Sequence, residues 1–300
     1  MSNLIIGYGN QGKKRFLNLI NNKNNKDIIF DSKIVGNKII NNFKEIDLSK
    51  ITHAYICTPE SEKEKLLDIL MKNRVNVLVE KPLLLQNSKI NKISKSLKTT
   101  IYTAYNHRFE PHIVNVKKIL NKKDLGKIYN VYCHYGNGTS QLWKNSWREK
   151  KKFSIVYDLG SHVIDTLLFL FNEIPISYKI ETAQKNELNC YDYLRFSSKS
   201  NINLTATLSI INWRNYFCLD IIGSKGSVHI NGLCKWGPSI LTVNKRVFPS
   251  GYPKQIKKTI IKPDPTWASE EKYFKMISRK KISNLDQNLI INKAIKNIIC

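Results

Sequence analysis

The stretch "LIIGYGNQG", Leu4 to Gly12, decides how the rest of the chain is read. Its apolar half predicts a buried strand, and "KKRFLNLINN" directly after it has the spacing of an amphipathic helix. Between the two, glycines fall at positions 7, 9 and 12. In a strand–turn–helix setting Gly7 permits a tight turn, Gly9 lets backbone approach a pyrophosphate, and Gly12 lets helix pack close on strand. The amides that open the helix, at Asn10, Gln11 and Gly12, would then face the anion.

Further along, short β-branched runs alternate with lysine-rich amphipathic stretches. Strands are predicted at 27–31, 53–59, 75–82 and 100–106, and helices at 61–73 and 87–98. Such alternation implies a parallel, doubly wound α/β sheet. The second strand ends in Asp31, nineteen residues after Gly12, where a carboxylate can take the hydroxyls of an adenosine ribose. That favours NAD, since a 2′-phosphate would face the carboxylate. Lys33 nearby could instead accommodate the phosphate of NADP, and the run "KKR" at 13–15 is either a solvated first turn or a phosphate attractant.

Bulk properties narrow the class. The 300 residues are 42% hydrophobic and 24% charged, a globular balance, and this length suits two domains. A formal net charge of +26 raises the question of a polyanionic partner. Lysine, however, is spread through every segment, with no basic run interleaved with aromatics, so no nucleic-acid partner is expected. Six cysteines (57, 133, 190, 218, 234 and 300) lie far apart without a C-x-x-C pair, so no metal site is expected and reduced thiols of a cytoplasmic protein are the simpler reading. The longest apolar run, near 163–171, is too short to span a bilayer, so no membrane association is expected.

Two groups of residues offer chemistry. "VLVEKP" (77–82) sets Glu80, Lys81 and Pro82 at the carboxyl end of a buried strand, where ligands gather in open α/β sheets, although a lysine there can also be a snorkelling surface residue. "YDLGSHVIDTLLFLF" (157–171) predicts a helix with Asp158 and His162 one turn apart on one face. A carboxylate beside an imidazole suits a general base, and equally suits a capping aspartate above a core histidine.

Taken in order, "GYGNQG", "CTPESEKEKLLDILMKNRVNVLVEKPLLL", "YNHRFEP" (105–111), "WKNSWRE" (143–149), "DLGSHVID" (158–165) and "IIGSKGSVHI" (221–230) have the arrangement of one family. The sequence resembles the glucose-fructose oxidoreductase and inositol dehydrogenase family, Gfo/Idh/MocA, from residue 3 to about 235. The resemblance implies an NAD(P)-binding Rossmann domain, 1–105, followed by a substrate-binding and oligomerisation domain, 106–300, with an open, mostly antiparallel sheet. It implies an oxidoreductase that moves a hydride between nicotinamide and a sugar, polyol or nucleotide-sugar, working as a homo-oligomer, dimer or tetramer.

By the same pattern, Lys81 would hold the substrate oxygen, His162 would take the hydroxyl proton, and Asp158 would orient His162. Thr58 and Pro59 would line the cofactor path together with Glu80. Asn106 is expected at the nicotinamide, and Arg108, Trp147 and Arg148 at the substrate, although a structural tryptophan and a surface arginine serve as well for the last two. A second reading is a cofactor-binding regulatory or scaffold protein without turnover. It would show as loss of Lys81, Asp158 or His162, and all three are present.

The sequence also departs from the family's pattern. The element between "IIFD" and "HAYICTP", which helps wall the adenine, is shortened or replaced. The histidine that often follows the Thr58-Pro59 turn is missing, with Glu62 and Lys63 in that stretch, and His107 stands where a basic residue is common.

Overall fold

The computed structural model describes residues 2–20, 27–86, 88–90, 93 and 98–300. Most of the helix expected at 87–98 lies outside them. The chain forms two compact units: Met1–Tyr105 with Trp267–Ile290, and Asn106–Thr266 with Ile291–Cys300.

The first unit holds a six-stranded parallel sheet in the order β3-β2-β1-β4-β5-β6. Its strands are β1 Ser2–Ile6, β2 Ile28–Phe30, β3 Ile39–Ile40, β4 Ile51–Ile56, β5 Asn76–Glu80 and β6 Ile101–Ala104. Helix α1 (Asn10–Ile20) follows β1 and α2 (Glu60–Lys72) follows β4. The chain reverses its winding direction at β1 and β4, so the glycine turn after β1 lies at a topological switch point, the usual ligand crevice of such sheets.

The strands are apolar on both sides because both are covered. Leu4, Ile6, Ala54, Ile56, Val77 and Val79 share one buried cluster with Leu67 and Leu70 of α2. Ile5, Tyr55, Leu78 and Tyr102 share another with Phe274 and Ile277. Those last two belong to a helix near the C-terminus, α5 (Thr266–Arg279), which corrects the expectation that all of 106–300 belongs to the second domain. The apolar stripe of α5 closes a sheet face, a contact between residues far apart in sequence.

Between β2 and β4 the chain uses the two-residue β3 and two 3₁₀ turns, Phe43–Glu45 and Leu48–Lys50. Asn42 and Asp47 cap those turns by accepting the amides of Lys44 and Ser49. Short polar side chains at these positions compete for backbone donors and favour turns over a continuous helix.

The second unit holds an eight-stranded sheet in the order β14-β13-β12-β11-β7-β10-β9-β8, in which β8 is Lys179–Gln184, β9 Tyr193–Lys199 and β14 Lys254–Ile260. Only β7 (Ile128–Gly136) and β10 (Asn203–Ser209) pair in parallel; the other neighbours are antiparallel. Along β11 (Tyr216–Gly223), Phe217, Leu219 and Ile221 are buried, while Tyr216, Cys218, Asp220 and Ile222 are half-buried on the opposite face. Helix α3 (Pro111–Asn121) packs on β12 (Gly226–Asn231), β13 (Ser239–Lys245) and α4 (Ser161–Phe171). Among the described residues, no helix is long and apolar enough to cross a membrane.

Candidate functional site

In the first unit the three glycines are sterically distinct. Gly7 has φ +91°, a conformation that L side chains rarely adopt. A Cβ on Gly12 would stand 2.0 Å from the Gly7 carbonyl oxygen, so only glycine lets α1 approach this close. A Cβ on Gly9 would meet nothing within 4 Å. Nothing in the fold therefore requires glycine at position 9, and the open space beside it is where a phosphate can approach backbone. Gly9, Asn10 and Gln11 are exposed, and the first α1 amide to bond back along the helix is that of Lys13, to the Gly9 carbonyl at 2.9 Å.

Asp31 closes the other side of the turn. One carboxylate oxygen accepts the Tyr8 amide at 2.7 Å, and the other accepts the amides of Lys33 (2.8 Å) and Ile34 (2.9 Å). Partial burial would raise its pKa, but the Ile34, Tyr8 and Lys33 amides outweigh this and hold it below the ordinary value. The carboxylate is thus kept charged and fixed in orientation. Thr58, at the end of β4, has a buried Oγ1 with no hydrogen-bond partner, and Pro59 caps α2. Space beside Gly9, an ionised Asp31 and an unsatisfied Thr58 hydroxyl fit the phosphate and hydroxyl groups of a dinucleotide.

The Glu80-Lys81-Pro82 segment is held from two sides. Arg15 Nε donates to Glu80 Oε1 at 2.8 Å, and Arg15 Nη2 donates to Glu270 at 2.6 Å. The same guanidinium stacks on Trp267, 4.4 Å from the ring centroid. Of the "KKR" run, only Lys13 and Lys14 form a solvated face; Arg15 is buried. Burial pushes Glu270 up to about 7, against the pull of Arg15 and with the help of Glu80.

On the other side, buried Lys63 donates from Nζ to the carbonyls of Glu80 (2.6 Å) and Pro82 (2.5 Å) and pairs with Glu60 at 3.0 Å. Burial lowers the Lys63 pKa, with Glu60 opposing. Lys81 itself is half-buried beyond the end of β5, between the two clamped carbonyls, and the Lys81–Pro82 peptide is cis. The sequence flags Lys63 only as the occupant of the stretch where a histidine is missing. Arg15 and Glu270 carry no local signal of partnership, being 255 residues apart.

In the second unit, His162 lies in the first turn of α4 and is almost fully buried. The residues before it, Val156–Gly160, form a π turn instead of the regular helix expected from 157. A π turn steps five residues per hydrogen bond, so the four-residue spacing of Asp158 and His162 does not by itself set which face each takes; such insertions recur at functional sites. Burial first, and the Asp158 charge second, push the Tyr135 phenol well above its ordinary pKa. Asp158 therefore lies within electrostatic reach of Tyr135, whose ring meets His162 edge-on at 5.9 Å.

His107 is fully buried and lies flat against His162, centroids 4.2 Å apart at 18°. Its Nε2 is 2.8 Å from Lys235 Nζ. Arg108, expected at the substrate, forks onto buried Asp165, with Nε 2.9 and 3.0 Å from the two carboxylate oxygens, so this guanidinium is tied into an ion pair. Asn106 Nδ2 donates to Thr266 Oγ1 at 3.0 Å. Trp147 is 48% exposed, with the Arg148 guanidinium 4.6 Å over its ring. Among the described residues, no group of three His, Cys, Asp or Glu could hold a metal ion.

Residues 113–229 match the family described as the GFO/IDH/MocA C-terminal domain. Over 228 residues the chain is 24% identical to glucose-6-phosphate 3-dehydrogenase of Bacillus subtilis, covering 69% of this chain and 63% of that enzyme. Over 127 residues it is 26% identical to scyllo-inositol 2-dehydrogenase (NADP⁺) of the same organism, covering 41% of this chain and 35% of the enzyme. The chain thus matches less than two thirds of the length of these curated relatives. Levoglucosan dehydrogenase, solved in complex with NADH and L-sorbose, shares the fold with a TM-score of 0.79 at 16% identity, covering 100% of this chain and 96% of that one.

Proposed function

We propose that the chain, whose residues 113–229 match the GFO/IDH/MocA C-terminal domain, is an NAD(P)-dependent oxidoreductase acting on a sugar, polyol or nucleotide-sugar. The observation that carries this reading is the steric pattern of the glycine turn. Gly7 and Gly12 are required by the fold, whereas Gly9 leaves open space where a pyrophosphate would lie.

Asp31 is the ribose ligand in this reading, with Asn10, Gln11 and Thr58 around the phosphates. Bound nicotinamide supplies the hydride acceptor or donor at its ring C4. In the oxidation direction His162 takes the proton from the substrate hydroxyl as the carbon loses hydride, and Lys81 holds that oxygen and offsets its developing negative charge. Asp158 orients the base and stabilises its protonated form. The half-buried outer face of the eight-stranded sheet supports a homo-oligomer as the working form.

The test is a titration of the protein with NADH and NADPH followed by nicotinamide fluorescence, with Asp31→Ala alongside. Turnover is then measured on hexoses, hexose phosphates, polyols and nucleotide-sugars with wild type and His162→Gln. The expected results are binding that weakens in Asp31→Ala, and substrate turnover that falls about 10²–10⁴-fold in His162→Gln while cofactor binding is kept. Absence of binding to either dinucleotide would overturn the reading.

A further inference from the structure

We propose that Lys235, acting through His107, keeps His162 neutral and its ring oriented, so that the base enters the reaction ready to accept a proton. The inference rests on the role given to His162 above and assigns Lys235 and His107 as positioning residues for it.

An ammonium only donates hydrogen bonds. At 2.8 Å from Lys235 Nζ, His107 Nε2 must therefore be the acceptor, which puts the imidazole proton on Nδ1. A proton on Nε2 would face the lysine's own, so His107 stays neutral and in one tautomer while Lys235 is charged. Lys235 is itself held, its ammonium lying 4.5 Å over the Trp236 ring. Trp236 in turn stacks on Tyr135 at 5.8 Å and 25°.

His107 is packed edge-on by Tyr135 (5.2 Å, 61°) and Phe217 (6.0 Å, 86°), which leaves one flat face for His162. The His162 ring is thus oriented by a neighbour whose own plane and protonation are set by Lys235. One stacked ring beyond, a fixed cation opposes a second cation. At the effective dielectric of a protein site, this changes a protonation constant by about tenfold.

Other charged and titratable groups of this unit bear on the same ring. In the role proposed for it above, Asp158 of the π turn favours the protonated form. On its own helix Asp165 is neutralised by Arg108 of the 106–109 turn. Tyr135 of β7 is kept protonated by its burial. On α3, Lys117 is turned to the C-terminal end of α4, bonding the Leu170 carbonyl and Asn172, and His112 is turned to the Ser239 carbonyl. Among the described residues of this unit, Lys235 is thus a cation set to oppose Asp158, and the sequence offers no hint of it, since His107 and Lys235 are 128 residues apart.

The experiment is a pH titration of ¹³C-histidine-labelled protein by NMR, with His162→Gln used for assignment. Lys235→Met is expected to move the His162 midpoint up by about one pH unit. Lys235→Gln, which keeps a donor without the charge, should move it in the same direction, and Lys235→Arg should return it close to wild type. His53 and His229 serve as unmoved controls, which separates the effect from general loosening. An unmoved His162 midpoint in both folded Met and Gln variants would overturn the proposal, whatever the turnover. A moved midpoint in a protein that turns over no sugar would sustain the Lys235–His162 coupling and refute the base role instead.

Discussion

The sharpest test of the dinucleotide reading is Gly9→Ala. At this position an added methyl meets no atom within 4 Å, so the folded protein has no steric reason to refuse it. Replacing glycine where the backbone permits alanine stabilises by about 0.4–1 kcal/mol through the unfolded chain, so thermal stability should stay level or rise slightly. Binding should respond differently. The methyl occupies the space through which a phosphate oxygen reaches the helix amides, and a hydrogen bond to a charged group contributes about 1.5–3 kcal/mol. Loss of one such bond weakens NADH by roughly 10- to 150-fold.

Gly12→Ala supplies the contrast, because its Cβ would overlap the Gly7 carbonyl at 2.0 Å and must force α1 away from β1. That variant should lose about 1–3 kcal/mol of stability together with binding. The assay pairs a thermal melt with nicotinamide fluorescence titration for each protein. A folded Gly9→Ala that binds NADH within twofold of wild type would refute the assignment of this turn to pyrophosphate.

Two further perturbations probe the supports of Lys81. Glu270 has a folded pKa of about 7 against an ordinary 4.5, so the native state keeps a proton that the unfolded chain releases between those values. Its contribution is full below pH 4.5 and is lost as pH rises through about 7. Glu270→Gln should flatten the melting profile across that window, and an unchanged slope would contradict the burial argument. Lys63→Met strips the donor from the Glu80 and Pro82 carbonyls and removes the cation from Glu60, which keeps only the Leu84 amide, a break that costs about 2–4 kcal/mol for a largely buried pair. Urea denaturation measures this, and a cost under about 1 kcal/mol, the size of an exposed pair, would mean the clamp is incidental.

The parts of the fold visible in the sequence are those set by short-range pattern. The glycine turn, the strand at 76–80 and the helix at 60–72 each carry their own periodicity and their own stop signals. Asp31 could be found by counting, because its partners, Tyr8, Lys33 and Ile34, lie within the same strand–turn–helix–strand unit. Pairings across long separations were invisible. Arg108 looks like a ligand-facing cation until Asp165, 57 residues on, is seen to hold it. Arg15 looks like part of a solvated run until Glu80 and Glu270 close around it. The π turn at 156–160 was hidden for another reason, since an inserted residue leaves composition and hydrophobic spacing almost unchanged.

The return of Trp267–Ile290 to the first unit sets an order of assembly during synthesis. Translation adds about 5–20 residues per second. Arg15 therefore waits, without its Glu270 partner or the Trp267 ring, while the 255 residues up to that partner are made. Through that interval Tyr55, Leu78 and Tyr102 lack the cover of Phe274 and Ile277, leaving an apolar sheet face exposed on the nascent chain. The first unit, begun ahead of the second, is finished only after residues 106–266 have been made.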